Sequence, residues 1–79
     1  MGVAKVEIYT TRLCPYCFRA KALLNRKGVT YREIDVSNAP EMRRWLSDQT
    51  GQRTVPQVFV NGRHIGGLED LQSWTRRAA

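Results

Sequence analysis

Hydrophobic and polar positions alternate along "KVEIYT", residues 5–10, with Val6 and Ile8 set against Glu7 and Tyr9. A period of two predicts a strand. The period lengthens in "PYCFRAKALLNRK", residues 15–27, where Ala20 and Leu24 follow Cys17 at spacings of three and four. That stretch predicts a helix opened by Pro15 and closed by Gly28. "TYREIDV", residues 30–36, alternates again and predicts a second strand. Ser37 or Asn38 then suits the cap of a second helix, with Pro40 and Glu41 in its first turn and Gly51 at its end. Asn61-Gly62 stands between two short apolar runs, the pattern of a two-residue hairpin. After Gly66-Gly67, Leu68, Leu71 and Trp74 recur at helical spacing. Acids at the amino end of this last helix and arginines at the other suit its dipole.

The order is therefore β-α-β-α-β-β-α. Two strands separated by a helix favour a parallel pair joined by a right-handed crossover. With the hairpin added, the expected architecture is an α/β fold: a four-stranded mixed sheet covered by three helices. At 79 residues, 42% hydrophobic and 25% charged, the chain has room for one domain, expected over residues 1–79, and one small core.

Charge changes the picture less than its size suggests. Thirteen basic residues against seven acids give +6, which raises the question of nucleic acid. The only Arg-Arg pairs, Arg43-Arg44 and Arg76-Arg77, are far apart in sequence, and no aromatic platform is interleaved with them. Attraction of a small anionic substrate accounts for the charge more simply, and no nucleic-acid partner is expected. The first apolar stretch, Val6 to Tyr9, is short and broken by Glu7, unlike a signal-peptide core. No run approaches the roughly 18 apolar residues of a membrane helix. A cytoplasmic protein without membrane association is expected, and in that compartment paired cysteines are more often redox-active or metal-binding than structural.

Both cysteines lie in "RLCPYCFRAK". With Pro15 as the first helical residue, Cys14 falls near the cap, where free N–H groups and the dipole favour thiolate, as do Arg12 and Arg19 nearby. Thiols so placed have pKa values of about 3.5–7.5 against 8.5 for a free thiol. Cys17, one turn in, is expected to be more buried. Cys14 would then attack a disulfide and Cys17 resolve the mixed disulfide. Three other roles use the same pair: a zinc site, which needs four ligands where the chain offers two cysteines and one histidine; an iron–sulfur cluster shared between chains; and a structural crosslink, which closes too small a loop to stabilise much. A catalytic dithiol is the best supported reading.

"CPYC" after a strand, followed by "TVPQVFVNGRHIGGLEDL", closely resembles the glutaredoxins, of the small bacterial dithiol kind, and the likeness runs from Val6 to Leu71. The resemblance implies a thioredoxin-like fold and glutathione as electron donor, with no bound cofactor or metal. It assigns the nucleophile to Cys14 and the resolving thiol to Cys17, and implies a cis bond before Pro56. Glutathione is a short extended peptide, and Val55 can offer it a backbone N–H and C=O as an added strand would. Gly67 and Leu68, opening the last helix, suit its γ-glutamyl carboxylate. Asp70, with Glu69 beside it, matches the family's acid for the amine. Tyr16 and Thr54 match groove positions, and Gln52 or Arg53 the glycyl carboxylate.

Two departures stand out. Many members carry lysine where this chain has Thr11, with Arg12 next to it; and Leu68-Glu69 replaces a frequent Cys-Asp. His64 is expected to be a plain hairpin residue. Phe18, Trp45, Phe59 and Trp74 are expected to be packing residues, and Arg43-Arg44 a solvated helix face. The implied activity is that of a monomeric, glutathione-dependent thiol–disulfide oxidoreductase acting on disulfide or glutathionylated proteins, with ribonucleotide reductase a family-based candidate. Two alternatives are a redoxin of the same fold reduced by thioredoxin reductase and a glutathione-ligated iron–sulfur carrier.

Overall fold

The computed structural model describes residues 4–78; residues 1–3 and 79 of the expected domain lie outside the described residues. The chain runs β1 (Val6–Thr10), α1 (Pro15–Arg26), β2 (Tyr31–Asp35), α2 (Pro40–Thr50), β3 (Gln57–Val60), β4 (Arg63–Gly66) and α3 (Leu68–Ala78). The strands form one sheet in the order β2-β1-β3-β4. β1 is parallel to β2, with Ile8 opposite Glu33, and antiparallel to β3, with Ile8 opposite Val58. This is the expected mixed sheet with its parallel pair and terminal hairpin. Asn61 and Gly62 both have positive φ, 54° and 81°, the twist that a two-residue hairpin needs.

Alternation along β1 divides the molecule. Val6, Ile8 and Thr10 are buried on one face. There Val6 and Ile8 join Val58 of β3, Ala20, Leu23 and Leu24 of α1, and Leu71 of α3 in one core, with Trp74 packed on its edge. Tyr9 emerges on the other face and meets Trp45 of α2 and Phe59 of β3, ring centroids 5.9 and 5.5 Å away. Such aromatic pairs add about 0.5–1.5 kcal/mol each beyond the area they bury. Two helices thus cover one face, and α2 covers the other. No helix among the described residues is long and apolar enough to cross a membrane.

Two expectations change. Neither Ser37 nor Asn38 caps α2: Ala39 holds the cap position without a side-chain hydrogen bond. Ser37 is engaged elsewhere, its N–H donating to Asp35 Oδ1 at 2.8 Å and its Oγ accepting the Arg12 N–H at 2.9 Å. Hydrogen bonds from the Ser37 hydroxyl and N–H hold the Asp35 carboxyl below its ordinary range. The serine therefore ties the chain entering α2 to the turn before α1. Phe18 is no packing residue: it is 72% exposed. It follows buried Cys17 by one position, and one step of an α-helix turns it off the stripe of Cys17, Ala20 and Leu24.

β2, an edge strand, is fastened to β1 and to α1 by Glu33. Its Oε2 accepts from Lys21 Nζ at 2.9 Å and from the buried Thr10 hydroxyl at 2.7 Å. The Lys21 bond, then the Thr10 bond, lower the Glu33 pKa. A lowered carboxyl stabilises the fold above its unfolded value, about 4.3, and that contribution is lost as pH falls through the folded value. Because both side chains are partly exposed, Glu33→Gln should cost no more than about 1 kcal/mol at pH 7. Urea unfolding should show that difference shrink as the pH is lowered from 7 to 3; an equal difference at both pH values would assign the loss to packing rather than charge.

Candidate active site

The centre of the site is the junction where β1 ends and α1 begins. Cys14 is the N-cap of α1 in extended backbone (φ −139°, ψ 101°), and Pro15 follows as a first-turn residue whose missing N–H needs no partner. The Cys14 Sγ accepts the Cys17 N–H at 3.1 Å, the place a serine or aspartate oxygen takes in an ordinary cap. No acidic side chain stands in the first turn of α1 to oppose negative charge there. Cys17 is 1% exposed, whereas Cys14 is only partly covered. The two are joined as a disulfide with Cα atoms 5.2 Å apart, within the span that a disulfide bridges without moving the backbone. The expected asymmetry between an accessible and a buried sulfur is present.

The loop before β3 closes over this junction. Its Val55-Pro56 peptide bond is cis, and the Val55 carbonyl oxygen lies 3.7 Å from Cys14 Sγ. In the disulfide the sulfur has no proton, so this contact becomes a hydrogen bond only with the protonated thiol. Beside the sulfur runs an open groove of about 490 Å³. One wall is Tyr16 and Arg19 of α1, the floor is Thr54, Val55 and Pro56, and the far wall is Gly67, Leu68, Glu69 and Gln72 at the start of α3. The Arg19 guanidinium lies 5.8 Å from the centre of the Tyr16 ring, within cation–π range. The walls meet closely, since a Cβ on Gly67 would stand 3.4 Å from the Pro56 carbonyl oxygen.

Of the residues singled out from sequence, Tyr16, Thr54, Val55, Pro56, Gly67, Leu68 and Glu69 line this groove, and Cys14 stands at its edge through Val55. Asp70 does not line it. Its Oδ2 accepts the Gly67 N–H at 3.3 Å, which satisfies one free donor of the α3 start from within the chain. Arg19 and Gln72 line the groove and were missed, because each reads from sequence as an ordinary exposed helix residue. A larger cavity, about 690 Å³, lies between Tyr9 and the start of α2 and includes neither cysteine.

Sequence also missed what holds the floor in place. Gln57 is fully buried. Its amide nitrogen donates to Gln52 Oε1 at 2.8 Å and to the Thr54 carbonyl at 3.0 Å. With the nitrogen so engaged, its Oε1 faces His64, whose Nε2–H donates at 2.6 Å. The amide orientation and the histidine tautomer follow from the network together. His64 is thus more than a plain hairpin residue: it is the last link in a chain from β4 to the Thr54-Val55-Pro56 loop.

Gln57→Leu removes the donors and acceptor of this network in a near-isosteric swap and should cost about 2 kcal/mol in urea unfolding; unchanged stability would mean the loop is held by something else. Gly66, at φ 122°, has the Asp70 carboxylate where a Cβ would be, whereas Gly62 has positive φ but open space. Gly62→Ala should cost about 1–2 kcal/mol. Gly66→Ala should cost clearly more and displace Asp70. Equal losses would show that backbone conformation alone matters.

The protein-family model for glutaredoxin matches residues 6–65. The chain is 45% identical to glutaredoxin 3 of Escherichia coli K12 over 75 residues, 95% of this chain and 90% of that protein. It is 49% identical to a glutaredoxin of Pseudomonas aeruginosa over 71 residues, 90% of this chain and 84% of the relative. Among solved structures it is similar to the buckwheat glutaredoxin–glutathione complex, with TM-score 0.86 and 32% identity, over 95% of this chain and 71% of that one. The solution structure of Brucella melitensis glutaredoxin matches with TM-score 0.82 and 45% identity, over 96% and 84% of the two chains. With a dithiol at the start of α1 in this fold, the chain belongs to the glutaredoxin family of thiol–disulfide oxidoreductases.

Proposed function

We propose that this protein reduces protein disulfides and glutathione mixed disulfides with glutathione as electron donor. The observation that carries the reading is the position of Cys14 Sγ, capped by the Cys17 N–H at 3.1 Å and 3.7 Å from the Val55 carbonyl at the edge of the groove. The likeness to a glutaredoxin–glutathione complex supports the choice of donor.

The Cys14 thiolate attacks a sulfur of the substrate disulfide, forming one S–S bond and releasing the other sulfur as thiolate. Cys17 then attacks Cys14 Sγ and expels the reduced substrate, leaving the Cys14–Cys17 disulfide. One glutathione thiolate attacks Cys14 and frees Cys17. A second removes the glutathionyl group from Cys14 and leaves as glutathione disulfide, so two electrons return to the dithiol. In this reading glutathione lies along Val55 in the manner of an added strand, with Tyr16 and Thr54 beside it. Its γ-glutamyl end rests at Gly67 and Leu68, and its amine turns toward Glu69, which lines the groove, while Asp70 adds negative charge from behind Gly67. Gln57 and His64 hold Thr54 and Val55 ready, which reduces the ordering that binding requires. No resident cofactor enters the cycle, the protein acts as a monomer, and the glutathione pool it draws on implies a reducing compartment such as the cytoplasm.

Turnover of a glutathione mixed disulfide coupled to NADPH and glutathione reductase should be fast, and turnover coupled to thioredoxin reductase should be slow; the reverse result would refute the donor. Cys14→Ser should reduce both activities to background. Cys17→Ser should keep mixed-disulfide turnover within about tenfold of wild type, because glutathione itself can resolve that intermediate. Complete loss in both variants would remove the division of roles.

A further inference from the structure

The groove occupies one side of Cys14, and the other side carries features that the glutathione reading leaves unused. Leu13, immediately before the nucleophile, is 96% exposed, and Phe18, one turn after it, is 72% exposed. Single exposed apolar residues are ordinary on a protein surface. These two flank the same sulfur. On α1, Phe18 shares a stripe with Cys14 and Lys21, and the Lys21 ammonium reaches Glu33 on β2. The stripe therefore faces the β2 edge, away from Tyr16 and Arg19, which line the groove with α3.

The charge beside them is mostly positive. Leu13 lines a cleft of about 280 Å³ with Arg12, Ser37 and Arg43, and no carboxylate lines it. Arg43 also lines an adjoining cleft of about 380 Å³ with Arg44 and Arg53, where Asp48 is the one acid. Lys21–Glu33 is the one salt bridge among the described residues, so these four guanidinium groups have no ionic partner within 4 Å. Asp35 feels the Arg12 charge, but its Oδ1 takes the Ser37 N–H.

Resting on the reading of Cys14 as nucleophile, we propose that this face docks the polypeptide of the protein substrate. Its apolar part lies on Leu13 and Phe18, and its acidic residues lie on Arg43, Arg44 and their neighbours, while glutathione keeps the groove. Guanidinium groups take carboxylates bidentately. A ligand that delivers a disulfide sulfur to Cys14 across this surface is a peptide, not a nucleic acid. The arrangement separates the two substrates of the cycle: glutathione from the α3 side, protein from the β2 side. With a glutathionylated peptide, Cys14 Sγ bonds to the glutathione sulfur, the glutathione–peptide S–S bond breaks, and the peptide leaves on this face as a thiolate that takes up a proton.

Two short peptides test the proposal, each glutathionylated at a central cysteine flanked by leucine and by either aspartates or lysines. The mixed disulfide of glutathione with mercaptoethanol serves as the small reference. In the glutathione reductase assay the acidic peptide should have kcat/KM about tenfold above the basic one at low salt, a preference that shrinks at high salt. Arg43→Glu combined with Arg44→Glu should reverse it. Leu13→Ser combined with Phe18→Ser should raise KM for the acidic peptide several-fold. Both double variants should turn over the small mixed disulfide at the wild-type rate.

Equal kcat/KM for the two peptides, or a preference that survives the arginine changes, overturns the proposal. Failure of the wild type on the small mixed disulfide overturns the glutathione reading instead. A readout without turnover separates the two: the serine analogue of the acidic peptide, added to the oxidised protein, should shift NMR resonances of Leu13, Phe18 and Arg43. Shifts confined to Tyr16 and Leu68, or none, count against docking on this face.

Discussion

The pairing of β1 along both edges is the constraint on which the site depends. Because β1 bonds to β2 on one side and β3 on the other, the chain has little freedom in where it ends. The Val36 N–H donates to the Thr10 carbonyl at 2.8 Å, which carries the ladder to the last residue of the strand. The few residues that follow, tied back by the Arg12–Ser37 bond, place Cys14 at the head of α1. The helix is in turn fixed by burial of Cys17, Ala20, Leu23 and Leu24. The position of Cys14 is thus set by the central strand and the core, not by the mobility of a loop.

The groove beside it is assembled from three separate parts of the chain. Two of these parts have their polar groups satisfied from within the chain: Gln57 donates to the Thr54 carbonyl, and Asp70 accepts the Gly67 N–H. Buried polar groups in such a wall are costly when unpaired and restrictive when paired. The structure uses the second property. His64 and Gln57 bind the hairpin to the loop bearing Val55, so a distortion at β4 is felt next to the sulfur. Gly66 permits the tight turn from β4 into α3, and the space that its missing side chain leaves is filled by the Asp70 carboxylate.

Cys14 therefore stands on a boundary. On one side are a concave groove and the amino end of α3. On the other are exposed apolar side chains and arginines that have no ionic partner among the described residues. The net charge of +6 has a local meaning in this arrangement that composition cannot convey.

Much was decided by sequence alone, through short-range physics. Alternation in β1 and β2, Pro15 at a helix start and Asn61-Gly62 at a hairpin are local patterns, and each element appears where its pattern lies. The placement of Cys14 at the head of a helix and of Cys17 one buried turn in follows from three residues of spacing and Pro15. What sequence could not reach depends on which neighbours tertiary packing supplies. Ser37 looked like a cap, but the Arg12 N–H and the Asp35 carboxylate compete for it and win. Phe18 looked like core, but one step round the helix puts it in solvent. Gln57 carried no signal, since a buried glutamine is tolerated only where several partners converge, and Gln52, Thr54 and His64 come together only in the folded chain. Local pattern determined the elements and the reactive pair; only the fold determined which polar groups met, and so which surfaces around Cys14 remained free.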